Sequence, residues 1–146
     1  MGMVKLLNAI ESPLVTNGFV RIEDENVFER LSLGVRAELL RAAEVDQLGV
    51  RFFVLVKMEE QSLLSYHVIL TFSAEDLPGK VSEVDPKQLL AMKDVHEMLE
   101  TTVGFARGSL FARVKDTPFE WLSLPVLSVE ELLDNIRVVD SESVSV

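Results

Sequence analysis

Two neighbouring stretches of this chain alternate with a period of two so regularly that they dictate paired β-strands. From Val50 to Met58, Val50, Phe52, Val54, Val56 and Met58 fall on one face, and Arg51, Phe53, Leu55 and Lys57 on the other. From Leu63 to Phe72, Leu64, Tyr66, Val68, Leu70 and Phe72 oppose Leu63, Ser65, His67, Ile69 and Thr71. The polar link Glu59-Glu60-Gln61-Ser62 is short enough that the two runs must return as an antiparallel hairpin. A third run, Arg30 to Arg41, places Leu31, Leu33, Val35, Ala37 and Leu39 on one side, and a small polar connection to Val50 completes a meander. A weaker fourth strand precedes it over Leu14 to Glu23, bent at Gly18 and followed by an acidic loop.

The pattern then changes period. Asp85 reads as an N-cap and Pro86 as a first-turn residue, whose missing N–H would have no helical partner anyway. Beyond them Leu89, Met92, Val95, Leu99, Val103, Ala106, Leu110 and Val114 recur every three or four residues, one apolar stripe on a long helix. Gly104 and Gly108 share a face of that helix, where they either admit a second backbone or introduce a kink. Thr117-Pro118 ends it, because proline removes a donor and disfavours helix in the residue before it. An apolar, proline-bracketed loop runs from Phe119 to Val126. Ser128 and Glu131 then form a capping box for a second helix bearing Val129, Leu132, Leu133 and Ile136. One domain over residues 1–139 with a disordered tail at 140–146 is the expected organisation.

Composition restricts what such a domain does. A formal charge of −10, from 24 acidic and 14 basic residues, disfavours phosphate backbones and anionic membranes, so nucleic acid is not an expected partner. With no cysteine, disulfide, thiolate and cysteine–zinc chemistry are excluded. No apolar run approaches the ~20 residues of a membrane-spanning helix, and the first ten residues lack the form of a signal peptide, so a cytoplasmic setting without membrane insertion is expected. The two histidines, His67 and His96, fall on different elements, and a histidine with acidic neighbours on one helix surface is a poor metal site. No serine sits in a strand–elbow–helix context, and Gly104 to Gly108 has neither the strand before it nor the lysine after it that a phosphate cradle needs. No enzyme, metal or cofactor is expected. With 48% apolar residues, the chain carries more apolar surface than a small domain normally leaves in water.

Gly108-Ser109-Leu110-Phe111-Ala112-Arg113-Val114, running into Thr117-Pro118-Phe119-Glu120-Trp121-Leu122-Ser123-Leu124-Pro125-Val126 and Val129-Glu130-Glu131-Leu132, resembles the helix-connecting segment of the SecB export chaperones. The resemblance is strongest over residues 86 to 136. Over Arg30 to Phe72 it consists of strand pattern and order. The turn after the third strand lacks the glycine-rich Gly-x-Phe of typical members, which points to a divergent chaperone with dedicated clients.

The resemblance implies an α+β fold: a four-stranded antiparallel sheet, a long helix, an apolar loop and a short C-terminal helix packed on one face. It also implies an ATP-independent holdase that binds unfolded or precursor proteins, with SecA among its partners and a dimer or tetramer as its assembly. Client contacts are expected at Phe119, Trp121, Leu122, Leu124 and Val126 of the loop, over a floor including Phe53 and Tyr66. Self-association is expected to cover the helix stripe through Val103, Gly104, Gly108 and Phe111. Loop aromatics equally well plug a core between helix and sheet. An adaptor or antitoxin-associated module with one partner, and a small-molecule binding domain, are the alternative functions.

Overall fold

A computed structural model describes residues 5–16, 30–42, 47–73, 85–117, 119–120, 122, 124 and 128–141. The elements are β1 (Lys5–Glu11), β2 (Val15–Thr16), β3 (Leu31–Ala42), β4 (Gln47–Met58), β5 (Gln61–Ser73), α1 (Pro86–Leu90), α2 (Lys93–Val114), α3 (Val129–Leu133) and β6 (Arg137–Ser141). The fold is α+β, but its sheet has six strands of mixed orientation where four antiparallel ones were expected. The order is β1-β5-β4-β3-β6, with β2 also paired to β5.

The meander β3–β4–β5 forms where the alternation places it. Val54 pairs with Val35 on one side and Tyr66 on the other, and Phe52 with Ala37 and Val68. A two-residue turn at Glu59-Glu60 closes the second hairpin, with Glu59 at a φ of 57°. Both added strands escaped the sequence pattern for identifiable reasons. In β1 the register shifts between Leu6 and Asn8, so Leu7 is an extra residue and the period of two is broken. β6 has five residues and pairs parallel to β3, with Val138 opposite Leu39. The expected tail therefore begins inside a strand, since Asp140 and Ser141 pair with Arg41 and Ala42. The second helix ends at Leu133, before Ile136. Of the expected fourth strand only residues 14–16 fall among the described ones, and Val15–Thr16 are in strand.

The expected continuous helix is two. Asp85 Oδ1 accepts from the Lys87 amide at 3.1 Å and caps α1, which stops at Leu90. The chain turns extended at Met92 before α2 begins. His96 Nε2 stands 2.8 Å from the Leu90 carbonyl oxygen across that break, so the imidazole supplies the donor that the interrupted backbone does not. No break occurs at Gly104 or Gly108, both inside the 22 residues of α2.

The helix stripe is covered within the chain, contrary to the expectation that sister copies must cover it. Val95, Met98, Leu99, Val103, Ala106, Leu110 and Val114 are buried against Phe52, Val54, Val68, Leu70 and Phe72 of the sheet. Length explains this. At ~1.5 Å per residue α2 spans roughly 33 Å, and a 12-residue strand at ~3.3 Å per residue spans roughly 40 Å, so β4 and β5 outrun the helix. Each fully buried side chain of this kind contributes roughly 1.5–3 kcal/mol of hydrophobic stabilisation.

Candidate functional site

Only one face of the sheet carries α2. On the other face the register of β3, β4 and β5 builds rows of side chains. Arg36, Phe53 and His67 form one row, and Gly34, Leu55 and Ser65 the next. The row between them, Val35–Val54–Tyr66, turns its side chains toward the helix because successive residues of a strand alternate. Val15 pairs with Ser65, so β2 and the Ser12-Pro13 segment before it rise as a rim. These residues enclose an open groove of about 590 Å³ on the face opposite α2. From the β2 rim to β3 is three strand spacings, roughly 14 Å at ~4.8 Å each, wide enough for one extended polypeptide segment.

Phe53 is the centre of the first row. The Arg36 guanidinium carbon lies 4.4 Å from its ring centroid, the Arg51 guanidinium carbon 5.5 Å, and the His67 ring 5.4 Å at a tilt of 42°. The two arginines differ in what else they meet. Arg51 Nε is 3.0 Å from Oε1 of the buried Glu38, an ion pair that neutralises it. Arg36 is exposed and has no carboxylate partner among the described residues. His67 is fixed by its backbone, which donates to Ser12 Oγ at 2.9 Å and accepts from the Ser12 amide at 2.9 Å. Burial, and secondarily the positive charge of Arg51, hold the imidazole pKa below its usual value, which favours the neutral ring.

In the second row the small residues Gly34 and Ser65 flank Leu55, leaving a depression with an apolar floor. A Cβ built on Gly34 would meet only the Leu55 carbonyl oxygen, at the ordinary contact distance of 3.8 Å. Neither backbone conformation nor crowding requires glycine there, so its missing side chain is space given to the groove.

The described residues among those proposed from sequence divide between the groove and the core. Phe53 and Tyr66 both line the groove, but the Tyr66 side chain is buried and its hydroxyl is hydrogen-bonded to Ser109 of α2. Phe119, Leu122 and Leu124 belong to the core cluster between helix and sheet, which is the plug arrangement, and Phe119 is 1% exposed. Trp121 and Val126 lie outside the described residues. On α2, Val103 is buried in the core, Gly104 and Gly108 face open space, and Phe111 is 66% exposed. Sequence reasoning missed Arg36, Gly34 and Val15. Arg36 and Gly34 occupy the polar phase of the β3 alternation, and that phase became a site once the register set them beside Phe53 and Leu55. No group of three or more metal-ligating side chains converges among the described residues.

No known family matches the sequence, and no curated protein matches it. Among solved structures, a SecB-like chaperone of Mycobacterium tuberculosis in complex with a peptide from the HigA1 antitoxin is similar at 12% identity and a TM-score of 0.47. The likeness covers 86% of this chain and 90% of that one. A protein of unknown function from Streptococcus agalactiae is similar at 12% identity and a TM-score of 0.24, over 82% of this chain and 98% of that one. Neither likeness is strong enough to assign a partner to this chain.

Proposed function

We propose that this protein is a non-enzymatic polypeptide-binding module that holds extended, non-native segments of other proteins without ATP. The observation that carries the reading is the face of the sheet opposite α2. Its Phe53–Leu55 groove is apolar, open and one extended chain wide, and no other described element lies over it. Apolar side chains in a half-open channel suit clients that present apolar residues in many orders. The high net charge keeps such a surface soluble. A cytoplasmic setting, SecB-like service to precursor proteins with delivery to SecA, and self-association through the exposed face of α2 around Phe111 complete the reading.

A second reading, a module dedicated to one partner, is favoured by Arg36 at the groove wall, which has no carboxylate partner among the described residues, since a fixed charge selects among clients. The test is dilution of a guanidinium-unfolded reporter enzyme into buffer containing the purified protein and no nucleotide. Suppression of light scattering in proportion to the protein added, lost in Phe53→Asp with an unchanged circular dichroism spectrum, supports the reading. Equal scattering with and without wild type excludes general holding, and a pull-down returning one dominant protein then assigns the dedicated role.

A further inference from the structure

The charge of the groove runs against the charge of the chain. Acidic residues outnumber basic ones by 24 to 14, yet among the described residues no acidic side chain lines the groove and the one formal charge there is Arg36. Glu38, the acid nearest in register, is taken by Arg51. An arginine stacked on an aromatic face keeps its N–H edge free for a carboxylate, which it grips with two parallel hydrogen bonds. Lys57, exposed on the same face two residues beyond Leu55, extends the positive sign along β4.

Distances along the sheet turn this into a pattern. Arg36 and Gly34 are two residues apart on one strand, so their side-chain positions leave the sheet roughly 7 Å apart on the same face. That is also the spacing between residues i and i+2 of an extended peptide, which point to the same side. From this juxtaposition we propose that the groove binds an extended segment carrying an aliphatic or aromatic residue and, two positions away, an aspartate or glutamate. The apolar side chain enters the space left by Gly34 and Ser65, and the carboxylate meets Arg36. The inference rests on the polypeptide-binding reading and deepens it, because it makes apolar–acidic segments the preferred partners of this acidic protein.

Fluorescence anisotropy of three labelled peptides tests it. The peptides share a neutral polar sequence and carry Phe-Thr-Glu, Phe-Thr-Gln or Phe-Thr-Lys at the centre. The glutamate peptide is expected to bind about tenfold more tightly than the glutamine peptide at low salt, the magnitude of one charge-assisted contact. The lysine peptide is expected to bind more weakly still. Arg36→Glu reverses the order. Gly34→Val fills the depression and abolishes binding of all three, while its thermal midpoint stays at or above wild type, so lost binding is not lost folding.

Equal or tighter binding of the lysine peptide overturns the proposal, as does full affinity in Gly34→Val. If no peptide binds while the unfolded reporter is still held, the proposal fails and the holding function stands. If no peptide binds and Gly34→Val instead abolishes a concentration-dependent dimer, the occupant is a second copy and the proposal is overturned. Discrimination among the peptides without suppression of reporter aggregation supports the proposal and replaces general holding with the dedicated role.

Discussion

The hydroxyl of Tyr66 on β5 is hydrogen-bonded to Ser109 Oγ on α2, tying the central hairpin to the helix through the only polar atom that Tyr66 presents to the core. Arg113, one helical turn further along α2, lies with its guanidinium carbon 5.9 Å from the Tyr66 ring centroid and pairs with Glu11 of β1. One side of the helix is thereby fixed to two adjacent strands.

Tyr66→Phe deletes that hydroxyl and leaves the half-buried Ser109 without it. The expected loss is about 1 kcal/mol in urea denaturation at neutral pH. Burial, ahead of the charge of Glu11, pushes the Tyr66 pKa above its usual value. The folded state therefore holds this proton more tightly than the unfolded state. Its contribution is complete below pH 10 and is lost as pH rises through the folded pKa. The variant should lack this alkaline slope.

Phe52 and Phe53 are sequence neighbours on opposite faces of β4. Phe52 is fully buried under α2, so Phe52→Ala should cost about 3–5 kcal/mol. Phe53 is half-buried in the groove, and Phe53→Ala should cost no more than about half as much while removing client binding. Denaturation midpoints and aggregation suppression measured on both variants separate the core face from the binding face.

Phe119 belongs to the core, so Phe119→Ala should also cost about 3–5 kcal/mol in guanidinium unfolding. A loss below about 1 kcal/mol, accompanied by lost client binding, would return this residue to the lid role expected from sequence.

His67 titrates on the acid side. Its folded pKa lies below the unfolded value near 6.5, so below pH 6.5 the unfolded state takes up the proton first. Stability should fall with falling pH between the unfolded and folded pKa values, then level off with respect to this group. His67→Gln, read as thermal midpoint against pH, should flatten that segment.

Phe111 stands out from α2 beside Gly104 and Gly108, where a Cβ would find no neighbour within 4 Å. Phe111→Glu should change monomer stability by less than about 0.5 kcal/mol. If this face joins copies of the chain, sedimentation velocity will show the variant as the lighter species. Identical profiles for the two proteins would remove α2 from any interface.

Much of the architecture was legible because period reports burial. The alternation at Val50–Met58 and Leu64–Phe72 located the central hairpin, and the stripe from Val95 to Val114 located α2 and its buried side. The Ser128 cap, whose Oγ accepts from the Glu131 amide at 3.1 Å, was legible because capping is local chemistry. β1 was obscured by the bulge at Leu7, and β6 is a short parallel strand formed on β3, nearly a hundred residues earlier in the chain. No window of sequence contains both partners of such a pairing.

The sequence by itself determined which residues must leave water, the sign and size of the charge around them, and the absence of cysteine chemistry. It could not decide which faces remain uncovered, because covering depends on relative lengths and on register. Strands longer than α2 buried its stripe from Val95 to Val114, and the connecting-loop residues Phe119, Leu122 and Leu124 went into the core with it. The strand register alone brought Arg36 over Phe53 and opened the space at Gly34 beside Leu55. Hydrophobic burial is non-directional and readable residue by residue, whereas a groove exists only where several distant residues share one surface.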